Sequence, residues 1–374
     1  MAWRRSFLGK EKKKKQQRRR LSTCCSAARR DDRRPRTDRR HLALWAPPTC
    51  WTTCYRAPII DKAHRVVHTP SHTHPHTHRA YLWLPALLAA LCYATFCARS
   101  PGAAAALSLL ALSPLLPPPP RWRAFEQSPL FDCWRRRHAL RVVLPSSPPV
   151  TDPRTLFAHF PHGVFPMGCL LTMALSSEEA VTGVPAEMAG CVASALLRVP
   201  LVGAFFAFIG CHPAGKATLM RLLGRGSVGL IVEGIAGVHL AARPAIQAGA
   251  EEAVFLAARS GFIRAAIQAG VPVVPTYHFG TNRVFSLIAP PGAASLSRAL
   301  RAAIMVPVGV WGWAPIPRAC PLTVAVGSPL RWPQEDEPAE ATVAAAHAQF
   351  VASLVQLFED HKHLGGVKGE LKVV

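Results

Sequence analysis

Acidic residues are scarce in this chain. It has 21 Asp and Glu against 44 Lys and Arg in 374 residues, a formal net charge of +23. The excess is uneven: the first 40 residues hold 17 of the basic side chains and only four acids, Glu11, Asp31, Asp32 and Asp38. Blocks such as Lys12–Lys15 repel one another and do not condense into a core, so residues 1–80 are expected to form a disordered basic tail. No nucleic-acid motif accompanies the tail. An anionic membrane surface or plain disorder therefore suits it better than nucleic acid. Several chemistries are missing altogether. There is no Gly-x-Ser-x-Gly, since Gly224-Arg225-Gly226-Ser227-Val228-Gly229 has the wrong spacing. There is no phosphate-binding P-loop, no dinucleotide fingerprint and no His-Glu-x-x-His. The eleven cysteines are odd in number and none is paired at zinc-ribbon spacing, which fits reduced thiols facing a cytosol rather than a disulfide framework. The run Thr73-His74-Pro75-His76-Thr77-His78 reads as part of the disordered tract, with metal binding the alternative. No apolar run follows the basic start, so no secretory signal is expected; an Arg-rich targeting segment stays open.

Long apolar runs are present. Tyr81–Ala98 is uncharged over 18 residues and is broken from Ala103–Leu116 by Arg99-Ser100-Pro101-Gly102. As helices the two runs would span roughly 27 and 21 Å, so a membrane hairpin over residues 81–120 is expected, and the alternative is a pair of core helices. Arg79 before it and Arg121 and Arg123 after it would keep both ends cytosolic. Beyond it, residues 121–374 read as an α/β domain. Strands are expected over Thr155–Phe160, Ser227–Glu233, Val271–Phe279, Ile304–Trp311 and Leu322–Gly327. Helices are expected over Ala186–Leu197, Gly215–Leu223, Glu251–Gln268 and Glu340–His363. Alternation of this kind predicts a sheet covered by helices. In the last helix Ala346, Phe350, Leu354, Leu357 and His361 share one face, and Gly365-Gly366 would stop it.

The chemistry centres on Phe157-Ala158-His159-Phe160-Pro161-His162-Gly163. His162 stands at a strand end between a proline that fixes φ and a glycine that permits close approach. That placement suits a general base acting on a hydroxyl; the alternative is a strand-capping histidine. His159, three residues earlier, points to the other face and reads as structural. Glu233-Gly234 ends another apolar strand, where a carboxylate needs a partner: an imidazole, a substrate hydroxyl or an arginine. Arg259-Ser260-Gly261-Phe262 is expected inside a helix, its glycine marking close packing or substrate approach. Arg259 and Arg264 could hold the phosphates of an acyl carrier or simply face solvent. Gly280 and Asn282 follow a further strand end, with Asn282 able to donate to a carbonyl.

Taken in order, these motifs resemble the type-2 diacylglycerol acyltransferase family, which includes monoacylglycerol and wax-ester acyltransferases. The resemblance rests on Pro161-His162-Gly163, Arg259-Ser260-Gly261-Phe262, Val274-Pro275-Thr276-Tyr277-His278-Phe279-Gly280, Val326-Gly327-Ser328-Pro329-Leu330 and Leu357-Phe358-Glu359-Asp360-His361-Lys362. It implies a helix-covered mixed α/β sheet of glycerolipid-acyltransferase type behind the hairpin. It also implies transfer of a fatty acyl group from acyl-CoA, a co-substrate rather than a cofactor, to diacylglycerol at a bilayer. His162 would be the base; the carboxylate orienting it must come from outside the usual pairing, and Glu233, where the chain departs from the family, is the candidate. Pro161, Gly163, Gly234, Arg259, Gly261, Phe262, Gly280 and Asn282 would bind substrate, with no metal. The family's usual home implies the endoplasmic reticulum membrane with a cytosolic catalytic domain; a lipid droplet or plastid address and a homo-oligomer stay open. A monoacylglycerol or wax-alcohol acceptor, or a non-catalytic lipid-binding protein, are the alternatives. Three departures stand out. Phe160 precedes Pro-His-Gly, as in algal and fungal relatives, and Ser260 replaces a usual lysine. In Glu233-Gly234-Ile235-Ala236-Gly237 the family's Gly-Gly-x-x-Glu is changed at both ends: Glu233 replaces its first glycine and Gly237 its glutamate. Glu-Gly is instead similar to glycerophospholipid acyltransferases. Met167 sits where broader acyltransferases have the aspartate of His-x-x-x-x-Asp.

Overall fold

A computed structural model describes residues 59–61, 66–68, 89–90, 92–145, 152–174, 188–288, 292, 295–297, 306–312 and 316–374. Most of the expected disordered tail of residues 1–80, the His-rich run and the start of the first apolar run lie outside the described residues; within that tail, Ile59–Asp61 and Val66–His68 are strands instead, because Val66–His68 pairs with Arg141–Val143 of the sheet. The strands are β1 (Ile59–Asp61), β2 (Val66–His68), β3 (Arg141–Val143), β4 (Leu156–Phe160), β5 (Ala189–Val192), β6 (Cys211–Pro213), β7 (Val228–Ile231), β8 (Glu252–Val254), β9 (Val273–Phe279), β10 (Ser286–Ile288), β11 (Val306–Val308), β12 (Thr323–Val326) and β13 (Leu371–Val373). The helices that matter here are α1 (Pro101–Leu112), α2 (Pro129–Arg137), α3 (Met167–Ala174), α4 (Val202–Phe208), α5 (Lys216–Leu223), α6 (Gly234–Ala241), α7 (Pro244–Gln247), α8 (Gly261–Ala269), α9 (Thr281–Val284) and α10 (Glu340–His361).

Among the described residues, nine strands form one mixed sheet in the order β1-β2-β3-β12-β9-β4-β7-β5-β6. From β9 to β6 every pairing is parallel, and β12 runs antiparallel to β9. Helices cover both faces, as a parallel sheet requires. One face packs α5, α8 and α10 against Leu156, Ala158, Phe160, Val273 and Tyr277. The other packs α2, α3 and α4 against Phe157, Val274 and Val324. Alternation along β4 explains the division: Leu156, Ala158 and Phe160 face one way, Phe157 and His159 the other.

α10 is long and apolar enough to cross a membrane. It instead buries Val343, Ala346, Phe350, Leu354, Leu357 and Phe358 in the core. The second apolar run forms α1 only to Leu112, because Pro114 supplies no N–H to continue the helix and a 3-10 turn, Ser113–Leu115, follows. Three expected elements are corrected. Ala186–Leu197 is not a helix where described: Ala189–Val192 is β5, paired on both sides, before the 3-10 turn Leu196–Arg198. Glu251–Gln268 divides into β8, paired with β13, and α8, which begins only at Gly261. Ile304–Trp311 holds only the three-residue β11. In the first two, Ala and Glu favour helix in isolation, but strand partners decide otherwise.

Among the described residues, three histidines are buried in the sheet region. His138 approaches the Cys320 carbonyl, and His159 Nδ1 lies 2.8 Å from His278 Nε2. Burial lowers the pKa of His138 to about 4 and of His159 to about 3, and holds His278 well below the usual value. Each is neutral when folded but takes a proton when unfolded below about pH 6.5. The unfolded state therefore binds more protons as pH falls, and stability is lost from about pH 6.5 downward at up to ~1.4 kcal/mol per pH unit per histidine. Burial raises the pKa of Glu233 and Glu252 and so works in the opposite sense, but against three histidines; thermal unfolding in detergent at pH 7.5 and 5 should still show a lower midpoint at pH 5, and an unchanged midpoint would contradict neutral burial of all three.

Candidate active site

The carboxyl ends of three adjacent parallel strands, β9, β4 and β7, converge. Register places Phe160 beside Tyr277, and His159 beside Ile231. His162 therefore stands two residues past β4, Glu233 two past β7, and Gly280–Asn282 just past β9. Crevices outside such strand ends are where open α/β sheets bind ligands.

His162 is part-exposed, and its Nδ1 lies 2.9 Å from the Gly163 carbonyl. A carbonyl only accepts, so Nδ1 carries the hydrogen and Nε2 keeps its lone pair. Burial lowers the ring's pKa, and the Gly163 carbonyl opposes that by favouring the charged form. The ring is thus a neutral base at pH 7. Gly163 has φ +62°, and a Cβ there would lie 2.5 Å from Thr281 Cγ2, so the loop after β4 packs directly on the end of β9.

Glu233 is buried, and its carboxylate does not reach the imidazole. Oε2 accepts from the backbone N–H of His162 at 2.5 Å, and Oε1 from that of Phe255 at 2.7 Å. This corrects the expected ring contact: Glu233 fixes the main chain that carries His162 and ties it to β8. Burial pushes its pKa up to about 7, against the two N–H donors and the Arg259 guanidinium. Gly237, one helical turn on, explains the altered Gly-Gly-x-x-Glu pattern. A Cβ at Gly237 would lie 2.5 Å from Glu233 Cβ, 3.0 Å from its Cδ and 3.0 Å from His162 Cβ. With the carboxylate at position 233, position 237 has room for hydrogen alone. Gly237→Ala is expected to cost about 1–3 kcal/mol of stability by overpacking and to lower turnover through displaced His162. Turnover and unfolding measured together check this; wild-type values for both would show that the space is free.

The remaining expected residues divide. Gly234 has φ +56°, which glycine adopts without strain, at the start of α6. Arg259 stays close: its Nη2 reaches the Glu233 carbonyl at 3.4 Å, and its guanidinium lies 5.3 Å from the Phe255 ring centroid. Arg264 does not join it, since it bonds the Pro338 carbonyl and the Glu340 carboxylate. Gly261 opens α8 instead of lying inside it, and nothing would crowd a Cβ there. Phe262 is a core residue, packed edge-on against Phe350 with centroids 5.0 Å apart. Gly280 has φ +89° and a Cβ there would overlap the Pro321 carbonyl, so its role is backbone geometry. Asn282 is buried and donates to Glu252 at 3.4 Å. His159 and His278 pair on the sheet's other face, as expected for structural groups.

Glu252, Tyr277 and β13 were not legible as site elements. The Tyr277 hydroxyl donates to Glu252 at 3.0 Å, and burial raises the Glu252 pKa against that bond. β8 carries both Glu252 and, just beyond it, Phe255, and Leu371–Val373 pairs along it. Glu252 offered one signal: it is the last acid before Glu335. Among the described residues no group of three or more His, Cys, Asp or Glu could hold a metal.

The diacylglycerol acyltransferase family model matches residues 149–374, and the chain belongs to that family. Bovine diacylglycerol O-acyltransferase 2 is 28% identical over 238 residues, which cover 57% of this chain and 62% of that protein. The chain therefore spans less than two thirds of that relative's length. Human diacylglycerol O-acyltransferase 2-like protein 6 is 27% identical over 64% of this chain and 78% of its own. Human 2-acylglycerol O-acyltransferase 3 is 29% identical over 63% and 72%. A distant likeness among solved structures is the 1-acyl-sn-glycerophosphate (LPA) acyltransferase PlsC from Thermotoga maritima. It has a TM-score of 0.37 and 12% identity, covering 70% of this chain and 90% of that one.

Proposed function

We propose that this chain is an O-acyltransferase that moves a fatty acyl group from acyl-CoA to the free hydroxyl of diacylglycerol. The observation that carries the reading is His162: part-exposed at the end of β4, with Nδ1 turned to the Gly163 carbonyl and Nε2 left to accept a proton. Nε2 takes the hydroxyl proton as the oxygen attacks the thioester carbonyl. The tetrahedral intermediate collapses with cleavage of the C–S bond, and the imidazolium returns its proton to the leaving thiolate, giving triacylglycerol and free CoA. Backbone N–H groups near Gly163 stabilise the oxyanion. Glu233 acts through the main chain of His162, and Arg259, whose Nη2 reaches the Glu233 carbonyl, is a phosphate partner for CoA.

The apolar runs of residues 81–120 form a membrane hairpin in this reading. Leu109, Leu112, Leu115 and Leu116 are all exposed, as lipid contact requires. The same reading puts the protein in the endoplasmic reticulum membrane with its catalytic domain on the cytosolic side, where Arg79, Arg121 and Arg123 would hold both ends of the hairpin. A second reading changes only the acceptor, to a monoacylglycerol, and is favoured by the likeness to 2-acylglycerol O-acyltransferase 3. A non-catalytic lipid-binding role fits less well with an intact Pro161-His162-Gly163. Purified full-length protein offered labelled acyl-CoA with diacylglycerol, 2-monoacylglycerol or a fatty alcohol tests this. Preferential label in triacylglycerol supports the first reading. Preferential diacylglycerol formation supports the second, and lipid binding without turnover refutes both.

A further inference from the structure

Beside the site is a β-hairpin that the reaction does not account for. β10 and β11 pair antiparallel, with Ile288 directly opposite Val306. The strand's alternation turns Leu287 inward, where it packs with Val238 and Ala241 of α6 and with Val164, two residues after His162. The Gln247 side chain holds β10 as a neighbouring strand would: its Nε2 donates to the Leu287 carbonyl, and its Oε1 accepts from the Leu287 N–H. Ile288 and Val306 turn outward and are 57% and 53% exposed. Leu296, between the two strands, and Trp311, just after β11, are exposed as well. Scattered exposed apolar residues are ordinary, but Ile288 and Val306 face each other across the strand pair and form an apolar patch that water does not favour.

The charge of the sequence that carries the pair says what covers it. Residues 281–320 contain no Asp or Glu and four arginines, Arg283, Arg298, Arg301 and Arg318. An apolar patch set in purely cationic sequence complements the acyl layer and anionic headgroups of a bilayer. We propose that the β10–β11 hairpin is a bilayer contact separate from the residue 81–120 hairpin. Its inner side, through Leu287 and Val164, would form the apolar path by which the lipid acceptor reaches His162. The acceptor path rests on the acyltransferase reading; the bilayer contact does not.

Two measurements on the full chain, reconstituted in phosphatidylcholine vesicles containing phosphatidylserine, test it. A benzophenone amino acid at position 306 is expected to crosslink vesicle phospholipid on illumination, while the same probe at position 337, exposed and flanked by acids, is not. In the second, a variant combining Ile288→Ser, Val306→Ser and Trp311→Ser should lose about tenfold or more of its turnover on long-chain diacylglycerol in vesicles, since each lost side chain forfeits apolar burial. Its turnover on a water-soluble short-chain diacylglycerol should stay near wild type. Absence of lipid crosslinking at 306, or crosslinking there to a second copy of the chain, overturns the bilayer contact. Equal loss on both substrates overturns the acceptor path. Lipid crosslinking by a protein with no turnover on any acceptor would leave the bilayer contact standing and reject the acyltransferase reading instead.

Discussion

Replacing His162 by alanine is expected to lower kcat about 10²–10⁴-fold, the range a general base supplies, with little change in the KM for acyl-CoA. The ring is part-exposed at a loop beyond the sheet, and its Nδ1 is hydrogen-bonded to the adjacent Gly163 carbonyl. The ring stands beyond the strand rather than within it, so the unfolding midpoint should fall far less than kcat does. Turnover of the two proteins at matched membrane content, with circular dichroism as the folding check, decides the matter. A variant that keeps more than about a tenth of wild-type kcat would assign the proton transfer elsewhere.

Glu233→Gln carries the second largest expected effect. Only an ionised carboxylate offers both oxygens to the His162 and Phe255 N–H donors; an amide must turn its NH₂ toward one of them. Misplacing His162 in this way should cost about 10²-fold in kcat, equal to ~2.7 kcal/mol of transition-state stabilisation, with KM less affected. The pH dependence separates positioning from simple structural damage. Glu233 must be ionised and His162 neutral, and both forms are lost as pH falls. With the Glu233 pKa at about 7, wild-type turnover should drop as pH goes below neutrality. The His162 pKa lies lower than its ordinary value because of burial. In the glutamine variant the residual activity should therefore persist to lower pH than in wild type. The same acid limb in both proteins would remove Glu233 from this role.

The parallel core was largely legible because short apolar runs with Gly or Pro at their ends have few other homes. β4, β7, β9 and β12 all fall inside the expected strands. β5 and β8 did not stand out, because their residues are helix-tolerant and only long-range pairing, with β7 and β6 or with β13, makes them strands. The site was legible in the same measure. That His162 and Glu233 follow strand ends could be read from sequence; that β4 and β7 are neighbours could not. Which atoms of His162 the carboxylate touches depended on that adjacency and on the bare Cα of Gly237. Phe262 and Gly280, singled out as motif members, serve packing and backbone geometry, a distinction that sequence position alone does not carry.

Acyl transfer itself is the claim to test first. Microsomes from a host unable to make triacylglycerol, expressing the chain or its His162→Ala variant, would receive labelled acyl-CoA and diacylglycerol. The account requires label in triacylglycerol with the wild-type chain and its disappearance with the variant. No label in triacylglycerol from either, with both proteins present in the membrane fraction, would contradict it.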